Sequence, residues 1–197
     1  MRKLHLEKKA IRVLGIAESF RTSSEISTLA GVVMRSDLII DGFGFAEVTV
    51  SGSDATKAVV NVNNALNRND VNAIFLSGSV LSLYNIVDVD GLYEELSIPV
   101  VALTFSKSKA NLIQNIEERF PKEEAEKKKK LLEKLGPSRR VRLSTGYDVF
   151  VRTAGVEETE ETKRLIDRFT LQGAIPEPIR VARLLAKAVS AWRRTEK

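Results

Sequence analysis

The sequence contains no cysteine, one histidine, one tryptophan and two methionines among 197 residues. Without cysteine there is no disulfide, thiolate nucleophile, cysteine–zinc site or iron–sulfur cluster. The same absence fits a reducing compartment. Residues 1–9 are basic and lead into a strand, not into a signal-peptide core, so the expected location is cytoplasmic. The lone histidine, His5, precedes the first apolar run and reads as an exposed residue; a Ser-His-Asp site would need it folded back beside a serine. Zinc is left almost without soft or imidazole ligands. There is no Walker phosphate loop, and Gly42-Phe43-Gly44 is only half of a dinucleotide fingerprint, set in a turn-like stretch and not opening a helix. No run of about 18 apolar residues occurs, so no membrane-spanning helix is expected.

What the chain does have is a 43% hydrophobic content, enough for a sizeable core, and 29% charged residues. High charge with little cysteine and methionine leans towards a thermophile. The net charge is +5 and unevenly placed: between Arg119 and Arg142 stand ten Lys or Arg against four Asp or Glu. Such a segment either meets phosphates or forms the solvated lysine face of a surface helix.

Periodicity supplies the element order. Ile11–Ile16 and Thr28–Met34 read as buried strands. Leu38–Ile40 and Phe45–Val50 flank Asp41-Gly42-Phe43-Gly44, whose composition predicts a hairpin turn. Ala55, Ala58, Val59, Val62, Ala65 and Leu66 then recur at helical spacing, with Ser53 or Asp54 as the expected cap. Val71–Leu76, a short helix over Asp88–Ser97 capped by Asp88, and Ile98–Leu103 predict a right-handed parallel crossover. Helices are expected over Ser106–Glu118, Pro121–Leu135, Glu157–Phe169 and from Pro178 to about Arg193, with a short strand at Val149–Val151. Three antiparallel strands followed by alternating helices and parallel strands predict an α/β fold with a ribonuclease-H-like mixed sheet.

The remaining chemistry is that of carboxylates and a hard cation such as magnesium. In ribonuclease-H-like enzymes acids at strand ends bridge metal ions roughly 4 Å apart, which stabilise the entering and leaving oxygens of phosphodiester cleavage. The first strand ends here at Ala17-Glu18 and the fourth at Ser77, while Glu47, Asp54, Asp88 and Asp148 are further acids in reach. Ala17 has no oxygen to offer, and Ser77 offers only a neutral hydroxyl. Alternation sends neighbours 17 and 18 to opposite faces.

Five segments carry a resemblance that spans nearly the whole chain: Arg12-Val13-Leu14-Gly15-Ile16, Val50-Ser51-Gly52-Ser53-Asp54-Ala55-Thr56, Asn85-Ile86-Val87-Asp88, Ile98-Pro99-Val100-Val101 and Ile175-Pro176-Glu177-Pro178-Ile179-Arg180. With these the chain resembles a largely archaeal family known as domain of unknown function ninety-nine. That family is distantly similar to endonuclease V, which cuts nucleic acid near deaminated adenine. The resemblance implies one endonuclease V-like domain over residues 1–197, with a basic helical insertion at about 106–142. It also implies an aspartate pair where Ala17-Glu18 stand, and aspartates at the positions of Ser51 and Ser77. It further implies a phosphate-facing lysine after the strand at Ile98–Leu103, here Lys107 or Lys109.

On the last helix Arg180, Arg183, Lys187 and Arg194 share one side by spacing, a cationic ridge that could follow a phosphate backbone. Val181, Leu184, Leu185, Ala188 and Trp192 would bury the other side. Three functions fit. The first is a binder of DNA or RNA with a degenerate site at Ala17, Ser51 and Ser77. The second is a magnesium-dependent endonuclease with a rearranged carboxylate site, Glu18 with Asp54 or Asp88 and the metal on Glu18 and Asp88. The third is a protein-interaction scaffold using the helices from Ser106 to Leu135.

Overall fold

A computed structural model describes residues 10–21, 23–105, 112–156 and 159–195. Strand β1 (Arg12–Ser19) lies inside a seven-stranded sheet because its apolar residues alternate between two buried faces. The other strands of that sheet are β2 (Ile26–Arg35), β3 (Ile40–Thr49), β4 (Ala73–Leu76), β7 (Val100–Thr104), β8 (Arg139–Arg142) and β9 (Asp148–Ala154). Their spatial order is β3-β2-β1-β4-β7-β9-β8. The pairs β1–β2 and β2–β3 are antiparallel; β1–β4 and β4–β7 are parallel. This is the mixed sheet expected from the pattern. It is extended by β9 and β8, both antiparallel additions. Strand β8 was hidden in the sequence because Arg139-Arg140-Val141-Arg142 places only one side chain in the core.

The expected turn at Asp41–Gly44 does not form. Strand β3 continues through it with a register shift at Asp41, and the reversal lies at Ser36–Ile39, where Leu38 takes a φ of 66° and donates its N–H to the Arg35 carbonyl at 2.8 Å. Close packing explains the glycine. A Cβ on Gly44 would stand 2.7 Å from the carbonyl oxygen of Val62, so glycine there lets helix α1 (Ala55–Ala65) settle onto the sheet.

Helix α1 and helix α2 (Val89–Leu96) cover one face, over Leu14, Ile16, Leu29, Ile74, Leu76 and Val100. Helix α5 (Thr159–Arg168) and helix α6 (Glu177–Thr195) cover the other, over Val13, Ala17, Val32, Phe75, Val101 and Leu103. Each large side chain fully buried there contributes about 1.5–3 kcal/mol relative to exposure. Phe75 and Phe169 meet edge to face at 6.0 Å between ring centres. A smaller cluster of Ile86, Ile116 and Ala125 joins the hairpin β5 (Val80–Leu81) and β6 (Asn85–Ile86) to helices α3 (Leu112–Arg119) and α4 (Lys122–Leu135).

Helix α6 is rotated relative to the expected apolar side. Ile179, Ala182 and Ala186 are buried, while Leu184 and Trp192 are 62% and 59% exposed. The cause is proximity: a Cβ on Gly15 would lie 2.4 Å from the backbone carbon of Pro178. At that separation small residues suit the helix's inner side, so Ala182 and Ala186 are buried while Leu184 and Trp192 point away. Among the described residues no helix is long and apolar enough to cross a membrane.

Gly15→Ala is therefore expected to destabilise the fold by about 2–3 kcal/mol, because backbone and not a flexible side chain must give way. Denaturant unfolding checks this; an unchanged midpoint at unchanged slope would show that α6 is not seated on β1 as described.

Candidate functional site

The C-terminal ends of β1 and β4 are adjacent parallel neighbours, with the Ser77 N–H bonded to the Ile16 carbonyl at 2.9 Å. Alternation along both strands turns Ala17 and Ser77 to the face covered by α6. Two of the positions where the resemblance implied aspartates, Ala17 and Ser77, thus stand side by side, as a buried methyl and a hydroxyl.

Into this corner α6 delivers Arg183. Its Nη2 donates to Ser77 Oγ at 2.7 Å and its Nε to the same oxygen at 3.2 Å. The guanidinium carbon lies 4.8 Å from the centre of the Phe105 ring. Burial pulls the Arg183 pKa below its ordinary value, with the nearby charge of Arg180 acting the same way; the group stays charged. Among the described residues no carboxylate pairs with it. On the opposite face Arg152 donates Nε to the Gly136 carbonyl at 2.9 Å and Nη1 to Ser79 Oγ at 3.2 Å. The short loop Ser77-Gly78-Ser79, with Gly78 at a φ of +105°, is therefore held between two guanidinium groups.

The candidate acids lie elsewhere and serve as struts. Glu18 points to the α1 face, where its carboxylate accepts the Ser82 N–H at 2.8 Å, the Ser82 hydroxyl, and Ser27 Oγ at 3.3 Å. These bonds fix a left-handed run at Ser82, Leu83 and Tyr84 between β5 and β6. Asp54 sits at the start of α1 but does not cap it with its side chain. Its carboxylate accepts from the Thr49 hydroxyl at 2.7 Å and from Asn85 Nδ2 at 2.6 Å. The capping role expected of Ser53 or Asp54 falls to Asn85, whose Oδ1 takes the Ala55 N–H at 2.9 Å from thirty residues away. Asp88 does cap α2, accepting the Gly91 N–H at 3.0 Å, and also pairs with Lys134 of α4 at 2.6 Å. Glu47 is bonded to Arg193 at 2.7 Å, and Asp148 to Arg140 at 2.6 Å.

Among the described residues no three acids or histidines gather as a metal site. A hard dication needs anionic oxygens. At the ends of β1 and β4 it would meet a methyl, a neutral hydroxyl and a guanidinium, a donor set that does not suit it.

Basic residues divide sharply. Lys107 and Lys109 lie outside the described residues. Arg180 bonds Glu177 and the carbonyls of Gln172 and Ile175, all at 3.2 Å. Lys187 is exposed. In α4, Lys127 pairs with Glu123, and Lys129 with Glu117 and Glu126, so much of that segment's charge is neutralised internally. Lys128 is buried, donates to the carbonyls of Ser51, Gly52 and Tyr84, and stands 4.5 Å above the Phe120 ring. It pins α4 to the loop at Ser51-Gly52. Sequence reasoning missed Asn85, Ser82, Lys128 and Arg152, and read Arg183 as outward-facing. Only Asn85 had a signal, as part of the Asn85-Ile86-Val87-Asp88 segment.

The mixed sheet and its helices form an endonuclease V-like fold. The solved endonuclease V of Streptomyces avermitilis superposes with a TM-score of 0.64 at 14% identity over 94% of this chain and 84% of that one. The Ciona intestinalis enzyme, in complex with a DNA containing inosine followed by a ribo-adenosine, gives 0.62 at 14% over 94% and 87%. A protein of unknown function from Archaeoglobus fulgidus gives 0.75 at 27% over 91% and 98%. Residues 9–190 match the family model described as Endonuclease dU, and the chain belongs to that family. Among its relatives, UPF0215 proteins of Pyrobaculum aerophilum and Thermoplasma volcanium are 32% and 35% identical, covering 92% of this chain and 96% and 91% of theirs.

The struts make an acid-sensitivity prediction. Burial raises the Asp54 and Asp88 carboxyls, but hydrogen bonds from Thr49 and Asn85, and from Lys134 and Gly91, outweigh it and hold both below their ordinary value of 3.8. With folded pKa values depressed, their stabilisation is complete above 3.8 and is lost as pH falls through the lower folded values. Asp88→Asn keeps a capping oxygen and removes only the charge pair, so it should change stability by less than about 1 kcal/mol at neutral pH and flatten the acid limb of the curve. An unchanged acid limb would show that Asp88 titrates alike in both states.

Proposed function

We propose that this protein binds nucleic acid at the ends of β1 and β4, with a degenerate metal site and little or no nuclease activity. The observation that carries the reading is Arg183 on Ser77, a cation where a catalytic centre would need anions. Family membership and the DNA-bound Ciona neighbour support a nucleic-acid partner. Exposed Lys187, together with Arg180, Lys107 and Lys109, would add contacts along the phosphate backbone. Glu18, Asp54 and Asp88 are already engaged by Ser82, Asn85 and Lys134, which weighs against recruiting them around one magnesium ion.

Fluorescence anisotropy with labelled single- and double-stranded DNA and RNA tests the reading. Binding is expected at low salt and should weaken roughly 10- to 100-fold between 50 and 200 mM salt, the slope of two to four neutralised phosphates. No scission is expected with magnesium or manganese. Absence of binding to all four ligands at low salt, or magnesium-stimulated cleavage abolished by Glu18→Gln, would overturn it.

A further inference from the structure

The Arg183 guanidinium has five N–H donors in a fixed plane, and Ser77 occupies only the edge formed by Nε and one side of Nη2. Phe105 covers one flat face. The outer edge, Nη1 with the remaining Nη2 hydrogen, has no protein acceptor among the described residues, and none of its atoms is buried without a partner. This is the fork that matches two oxygens of one phosphate. The ring and the hydroxyl keep the side chain in one orientation, so little rotamer freedom is left to lose on binding. The location is also apt. In α/β sheets ligands gather beyond the carboxyl ends of parallel strands, and Ser77 ends β4 next to the end of β1. The second guanidinium, Arg152, on the far side of the Ser77-Gly78-Ser79 loop adds positive potential without competing for the same edge.

We infer that Arg183, oriented by Ser77 and Phe105, is a phosphate clamp that holds one backbone phosphodiester of the bound nucleic acid without any divalent cation. The inference rests on the nucleic-acid reading above and names the residue and the chemistry of contact. A cation supplied by the chain itself replaces the neutralising role that metal ions play where carboxylates are present. Because a guanidinium does not deprotonate near neutral pH, the clamp holds the phosphate and leaves it uncleaved.

Labelled 24-nucleotide DNA and RNA, with and without a chelator, provide the first measurement. The wild-type affinity should be the same in chelator and in magnesium. Arg183→Gln should weaken binding roughly tenfold and lower the salt slope by about one, as for loss of one phosphate contact. Arg183→Lys, which keeps the charge but not the fork, should fall between the two. Ser77→Asp, which places a carboxylate against the guanidinium, should weaken binding as much as Arg183→Gln while raising the melting temperature. Lys127→Gln, an equal loss of charge on α4, should bind as wild type. Thermal melting in inorganic phosphate against chloride at matched ionic strength is the second measurement: phosphate should stabilise wild type and not Arg183→Gln.

If wild type binds oligonucleotide and folded Arg183→Gln and Arg183→Lys both bind equally well, the clamp is wrong and the nucleic-acid reading stands. If affinity requires magnesium, the clamp is likewise overturned. If phosphate stabilises wild type through Arg183 but no oligonucleotide binds, the nucleic-acid reading falls, and with it the backbone assignment of the clamp.

Discussion

The tight approach of Pro178 to Gly15 sets the position of α6, and the arrangement at the strand ends follows from it. With the helix lying that low on β1, Ala182 and Ala186 are the residues that fit beneath it. Arg183, one position beyond Ala182, is then carried to the junction of β1 and β4 and not out into solvent. Had a larger residue stood at position 15, the helix would lie higher, and the same arginine would have no hydroxyl and no ring to orient it. A packing constraint between two uncharged residues thus decides which charge stands at the strand ends.

The acids of this chain have a different task. Glu18, Asp54 and Asp88 each fasten a piece of backbone that regular secondary structure does not hold: the left-handed turn at Ser82–Tyr84, the junction of β3 and α1, and the docking of α4. Hydrogen bonds to charged groups contribute about 1.5–3 kcal/mol each, and leaving a buried donor unmet costs a similar amount. A carboxylate committed in this way gives up those bonds if it turns towards a cation. The hairpin β5–β6 is the shared beneficiary, since Ser82 and Asn85 both belong to it or its turn. Lys128 reaches the same region from α4 and bonds the Tyr84 carbonyl. Helix α4 is therefore tied to this hairpin by polar contacts as well as by the small apolar cluster.

Much of the fold was legible because it depends on periodicity. The alternation of β1, the helical stripe from Ala55, and the β4–α2–β7 crossover are local patterns with one buried solution each. What was not legible depends on contacts between segments distant in sequence. Gly42 and Gly44 have the composition of a turn, and only the presence of α1 against the sheet makes them strand residues. Asn85 caps a helix thirty residues earlier, a role with no local sequence signature. On α6 the spacing identified a cationic row but not which way it faced, because alanines and not leucines mark the buried side of a closely packed helix. The absence of carboxylates at Ala17 and Ser77 was readable directly; that an arginine bonds Ser77 was not.

A cation at the strand ends, in place of the anions a metal site needs, has a chemical consequence of its own. Two jobs are combined when metal ions sit at a phosphodiester: neutralising the phosphate and lowering the pKa of a water so that it can attack. A guanidinium performs the first and not the second. It has no vacant orbital to bind water and no proton to exchange near neutral pH. On the reading proposed here, a methyl and a hydroxyl at positions 17 and 77 beside Arg183 therefore separate recognition from hydrolysis. The affinity part of a nuclease site can persist without its reactive part, since the first requires only a correctly placed positive charge, while the second requires a cluster of negative ones.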